Sequence, residues 1–108
     1  MRVEIDPEDA DTAYDNIAWL LATCPDADFR DGPKAVDYAT KACKMLSWTD
    51  SSKVSTLAAA CAEAGQFDAA IKWENQYLQF PKLSDADVAT AKKRLELYTA
   101  HKAFHADK

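Results

Sequence analysis

Two histidines, a run of aspartates and three cysteines are the residues whose types and spacing come closest to chemistry. His101 and His105 stand four apart. On a helix that spacing puts both imidazoles on one face, a chelating arrangement for zinc or nickel. No cysteine or carboxylate is spaced to complete the set, and the chain from about His105 onward is expected to fray, so no metal site is expected. Asp26, Asp28 and Asp31-Gly32 imitate a calcium-binding EF-hand loop, with Asp37 twelfth from Asp26. Arg30 stands where that loop needs a coordinating oxygen, however, and the glycine is one residue late. The segment reads instead as a polar loop ending in an Asp31 helix cap. Cys43 and Cys61 fall on apolar helix stripes, where free cysteine behaves as a small hydrophobe. Cys24 sits at a helix C-terminus, the wrong end of the dipole for a nucleophilic thiolate. A thiol or metal sensor is therefore the weakest functional reading.

Catalysis finds no constellation. Both histidines are in the tail, no glycine-rich phosphate loop exists, and the carboxylates are scattered over helix faces. The chain is expected not to be an enzyme and to need no cofactor. Lys92-Lys93-Arg94 with Lys102 could be read as a nucleic-acid patch, but the chain carries a net charge of -5. These bases are expected to form the solvated face of the last helix, with no nucleic-acid partner.

The elements that carry these residues are helical by several signs. A chain of 108 residues is one domain, here taken as 1–108, and only two glycines and four prolines punctuate it. That scarcity favours long helices with short joints, and abundant alanine supports them. Five apolar stripes predict helices near 7–23, 33–46, 52–64, 67–79 and 85–103, and no segment alternates in the strand period. Asp6, Pro7, Glu8 and Asp9 form a helix start, and Pro25 ends that first helix. Phe29, the one large apolar residue of the loop over 24–32, is expected to tuck back under the helices. Gly65 is placed to end the third helix in a left-handed conformation. Ser84 and Asp87 make a capping-box pattern for the fifth.

The start, Met1-Arg2-Val3-Glu4-Ile5-Asp6, lacks the apolar region of a signal peptide. No stretch approaches the roughly 18 apolar residues of a membrane span. Three cysteines without paired spacing suit a reducing interior, so cytoplasmic residence and no membrane partner are expected. Residues 1–31 carry nine acids against two bases, whereas 82–108 carry six bases against four acids. The charge axis reads first as solvated helix faces.

Ala35-Val36 and Ala70-Ile71 are the same event 35 residues apart, each near the opening of the second helix of a pair. Here the sequence resembles the tetratricopeptide repeat family. Val54, Leu57, Ala58 and Cys61 fall on the family's W-x2-L-G-x2-Y positions. Gly65-Gln66-Phe67-Asp68 is similar to its inter-helix turn, Ala70 matches the small residue of its second helix, and Pro81 falls beside its closing proline. Tyr14, Ile17, Ala18 and Leu21 fill the first-helix positions of the first unit, and Ala35, Ala39 and Ala42 the second-helix ones. Glu74 stands where the family has an aromatic, Tyr77 replaces a small residue, and the first inter-helix loop is five residues longer than the second. Ala-Trp-Leu-Leu-Ala-Thr-Cys-Pro-Asp over 18–26, Thr-Leu-Ala-Ala-Ala over 56–60 and Lys-Arg-Leu-Glu-Leu-Tyr over 93–98 resemble a bacterial long-loop subgroup, found at the C-terminal end of larger chains.

The resemblance implies an all-α, right-handed solenoid of two helix pairs plus a C-terminal capping helix. Repeat one spans 7–48, repeat two 50–81, and the cap 84–104. It also implies a non-enzymatic scaffold or adaptor that binds a peptide or protein surface on a concave face. Carried over position by position, that face is Thr12, Asp15, Trp19, Ala22 and Thr23 from the first pair and Ser52, Ser55, Ala59, Ala62 and Glu63 from the second. Trp19 is read either as an aromatic anchor or as a core residue. The rival reading is a homo-oligomerisation or accessory packing module of a larger protein. A homodimer is expected through an uncapped solenoid end next to Trp48, Trp73 and Tyr77, unless the loop carrying Phe29 covers it.

Overall fold

Helix starts and stops follow from side chains that satisfy the free backbone groups at each end. The computed structural model of the chain describes residues 10–105. It contains α1 over Ala10–Thr23, α2 over Gly32–Met45, α3 over Ser51–Glu63, α4 over Phe67–Leu78 and α5 over Asp85–Thr99, with a short 3₁₀ turn over Ala27–Phe29. No strand occurs among the described residues. The helix start read at Asp6 to Asp9 lies outside them. Asp31 caps α2 by accepting the Lys34 N–H at 3.1 Å. Asp50 caps α3 through the Ser52 N–H. Ser84 and Asp87 exchange both bonds of a capping box at α5.

Three helices end in one geometry, in which the chain turns left-handed and two backbone N–H groups reach back to the last turn. At α3 the residue is Gly65, φ 82°, with the Gln66 N–H on the Cys61 carbonyl at 2.8 Å. At α2 it is Ser47, φ 52°, followed by Trp48, φ 64°. At α5 it is His101, φ 59°, with the Lys102 N–H on the Leu97 carbonyl at 2.8 Å. α5 therefore stops at Thr99, short of the expected 103, because His101 adopts a turn that no glycine announces. The histidine pair is consequently not on a helix.

α1 packs on α2 and α3, α3 packs on α2 and α4, and α5 packs on α4. α3 is the central element, buried continuously from Val54 to Ala62. Most core positions are alanine, which lets helix axes approach closely, while Tyr98, Leu57 and Val54 supply the bulk. Leu57 and Val54 each contribute roughly 1.5–3 kcal/mol on burial. Among the described residues no helix is long and apolar enough to cross a membrane.

The loop between α1 and α2 overturns one expectation. Phe29 does not tuck under the helices but is 67% exposed. Arg30 takes the inward place instead. Its guanidinium donates to the carbonyls of Cys24, at 2.6 Å, and Pro25, at 3.3 Å, and pairs with the Glu63 carboxylate at 3.1 Å. These carbonyls are left over where α1 ends, so a multi-donor cation satisfies more of the loop than a phenyl ring would. With Arg30 turned in, the 3₁₀ turn directs Phe29 outward.

Candidate interaction surfaces

Of the ten positions assigned to a concave face, Ala22, Thr23, Ser55, Ala59 and Ala62 are buried. Thr12 and Ser52 are exposed, and Asp15, Trp19 and Glu63 are half-buried. Thr23 donates its hydroxyl proton to the Trp19 carbonyl at 2.7 Å. Ser52 donates both its N–H and its hydroxyl to the Asp50 carboxylate. The groups reach one another through residues from the far end of the chain. Arg94 of α5 lies with its guanidinium carbon 5.0 Å from the Trp19 ring and donates to the Ser55 hydroxyl at 3.1 Å. Phe104 lies 5.8 Å from Trp19 and 4.6 Å from the same guanidinium. His105 meets the Glu63 carboxylate at 2.5 Å. The result is a groove on α1 and α3, occupied by Arg94 and by the segment that follows α5.

Sequence reasoning missed that role. Lys92, Lys93 and Lys102 are exposed as expected of a solvated face, but Arg94 is half-buried. His105 is not a frayed end but a partner of Glu63.

Beneath Arg94 lies a carboxyl group with no exposure, Glu74 of α4. The Ser55 hydroxyl accepts from Arg94 and donates to Glu74 Oε1 at 3.2 Å, linking α3, α4 and α5. Glu74 Oε2, Arg94 Nε and the Tyr98 hydroxyl have no hydrogen-bond partner among the described residues. Burial pushes the Glu74 carboxyl up to about 7, against the opposing pull of the Arg94 charge and the Ser55 hydrogen bond. Burial also raises Tyr98, with the nearby Glu74 charge adding to it. A carboxyl group titrating near neutrality suits proton transfer, yet Glu74 is wholly enclosed and a substrate has no access to it. Its departure from an apolar stripe between Ala70 and Tyr77 was the signal that could have found this cluster.

The other candidate groups pack or hydrogen-bond within the described residues. Burial pushes the Cys43 thiol up to about 12, helped by Asp15 and Asp50, and Cys61 up to about 11. Neither forms a thiolate near neutral pH. His101 stacks on Phe67 with ring centres 5.1 Å apart, separate from His105 on Glu63. Asp26 and Asp31 each hold a backbone N–H rather than facing a common centre.

Two apolar surfaces remain to be placed among the described residues. Trp48 and Trp73, expected at an open end, stack on each other with centroids 5.1 Å apart and planes within 8°. Lys72 covers Trp73 at 4.9 Å, and Tyr77 is half-buried. The barer surface is elsewhere. Leu20, 62% exposed, and Phe29 line a cleft of about 330 Å³ with Ile17, Leu21 and Cys24. Leu20 projects from the side of α1 opposite the buried Ala18 and Ala22, as their helical spacing requires. Compared with known proteins, the chain matches no family model, no curated protein and no solved structure.

Proposed function

We propose that this chain is a non-enzymatic scaffold that binds a peptide or protein surface, built as a tetratricopeptide-like right-handed solenoid of two helix pairs and a capping helix. The order of packing supports the architecture: α3 lies against both members of the first pair, and α5 extends the stack from α4. One observation carries the function. Leu20 and Phe29 stand side by side in solvent on a cleft with an apolar lining. Apolar side chains gathered into a patch, rather than scattered singly, mark sites of association.

A second reading is favoured by the position of that cleft. It lies on the outer side of the first helix, where a preceding helix pair of a longer chain, or a second copy, would continue the stack. An accessory packing or oligomerisation module would use the same side chains. Photo-crosslinking from a benzoylphenylalanine at position 20 of the full chain, with an exposed control at Lys44, separates the readings. A specific crosslink to a different protein supports the scaffold. A crosslink to a second copy, with concentration-dependent sedimentation, assigns the cleft to oligomerisation. Equal labelling from both positions removes the cleft from either role.

A further inference from the structure

The segment after α5 shows what the groove on α1 and α3 accepts. Arg94 is held from below by the Ser55 hydroxyl, which in turn donates to the Glu74 carboxyl. Its guanidinium plane is thereby positioned beside the Trp19 ring, 5.0 Å from its centre. A fixed guanidinium next to an indole offers a surface that aromatic rings fill well, by stacking and by cation–π attraction. Phe104 fills it: the phenyl ring, the indole and the guanidinium form a triangle of mutual contacts. One residue further on, the Glu63 carboxylate is shared between Arg30 and His105. The groove thus has an aromatic subsite and, next to it, an anionic one, spaced to take consecutive residues.

The two sides of this contact are not equally secured. Ser55, Glu74 and Arg94 belong to helices and are tied to one another across three of them. Phe104 and His105 lie beyond the last helix. Among the described residues the last backbone-to-backbone hydrogen bond is that of Lys102 to Leu97. Among the described residues, side-chain contacts hold the segment from there to His105, and segments held in that way open most readily.

We infer that this groove is a recognition site for a partner segment carrying an aromatic residue followed by a histidine, and that Phe104 and His105 are its resident competitor. The inference rests on the scaffold reading in taking the ligand to be a peptide, but it uses none of the cleft residues at Leu20 and Phe29. A free segment must displace a tethered one, whose effective concentration is millimolar for a short tether, so binding to the intact chain is weakened in proportion to the closed fraction.

The test uses the full chain and a fluorescein-labelled peptide Lys-Ala-Phe-His, with Lys-Ala-Ala-His as control. In the variant Phe104→Ala with His105→Ala the groove is vacated. That variant is expected to bind the phenylalanine peptide about tenfold tighter than the unaltered chain, or better, and the control peptide not measurably. Equal affinities for the two chains, or equal affinities for the two peptides, overturn the proposal. Should the vacated variant lose its helical circular dichroism, 4-fluorophenylalanine at position 104 of the otherwise unaltered chain gives the answer. Its fluorine resonance is expected to move to the solvent position as peptide is added, and a resonance that stays put overturns the proposal. Sedimentation of the unaltered chain completes the set. A dimer abolished by Phe104→Ala would assign the groove to tail exchange between copies and also overturn it. Failure of the crosslinking at position 20 leaves every one of these outcomes readable.

Discussion

Gly32 and Ala64 meet backbone to backbone: a methyl group built on Gly32 would lie 2.6 Å from both the Cα and the nitrogen of Ala64. The N-terminus of α2 is thereby seated against the C-terminus of α3, and the atoms in the way cannot rotate aside. Gly32→Ala is expected to destabilise the chain by about 3 kcal/mol, near the upper end for overpacking. Urea unfolding followed by circular dichroism measures it, and a loss below about 1 kcal/mol would mean that the two helices separate at little cost.

Glu74 makes stability depend on pH in a direction opposite to the usual carboxylate. Its folded value of about 7 lies above the ordinary 4.5, so between these values the folded chain binds the proton that the unfolded chain releases. The stabilisation is fully present below pH 4.5 and is lost as pH rises through about 7, by roughly 3 kcal/mol in all. Glu74→Gln keeps an acceptor for the Ser55 hydroxyl and removes the charge. Unfolding curves from pH 4.5 to 8 are expected to diverge in favour of the variant as pH rises. Parallel curves would show that Arg94 compensates the buried charge throughout.

Ser47 turns left-handed at the end of α2 without being glycine. For a residue with a Cβ that conformation costs about 1–2 kcal/mol, part of which glycine returns as unfolded-state entropy. Ser47→Gly is expected to raise the melting temperature by about 5 °C, a gain near 1 kcal/mol. Gly65→Ala should do the reverse at the same site in α3. Its added methyl meets no atom within 4 Å, so its cost, about 1 kcal/mol, is conformational alone.

Thiol chemistry should divide the cysteines. Cys43 and Cys61 are buried, with thiols raised to about 12 and about 11, whereas Cys24 is half-exposed. Ellman's reagent at pH 8 is expected to modify Cys24 in the native chain and all three thiols in guanidinium. Rapid native reaction at Cys43 or Cys61 would reveal local opening of the core.

The five helices were legible in the sequence because each presents an apolar stripe of fixed period, and four of their five C-terminal ends fall within a residue or two of their expected positions. The third helix could be ended correctly because Gly65 marks its turn. The fifth could not, because His101 makes the same turn without a glycine. Phe29 was misjudged for a different reason: hydrophobicity argues for burial, but Arg30 satisfies the orphan carbonyls of the loop and takes the space. The groove was legible only on its α1 and α3 side, at Trp19, Ser55 and Glu63. Arg94, Phe104 and His105 arrive from about 40 residues or more beyond Ser55 and Glu63, a closure that periodicity along one helix does not encode. Glu74 was visible as an anomaly on an apolar stripe, but its partners were not.

Of the sixteen buried apolar residues described, eleven are alanine. An alanine scan of this chain would therefore pass over most of its core without changing an atom, and would return a map of the surface with a few isolated hits such as Tyr98 and Leu57. The vulnerable positions are vulnerable to growth. A scan with serine, valine or leucine, which adds volume or polarity where helices touch, would trace the seams between α1, α2, α3 and α4 as a connected line. By the same logic, only the smallest side chains are expected to be tolerated at these sites, so that tolerance in this fold is set by steric headroom rather than by hydrophobicity.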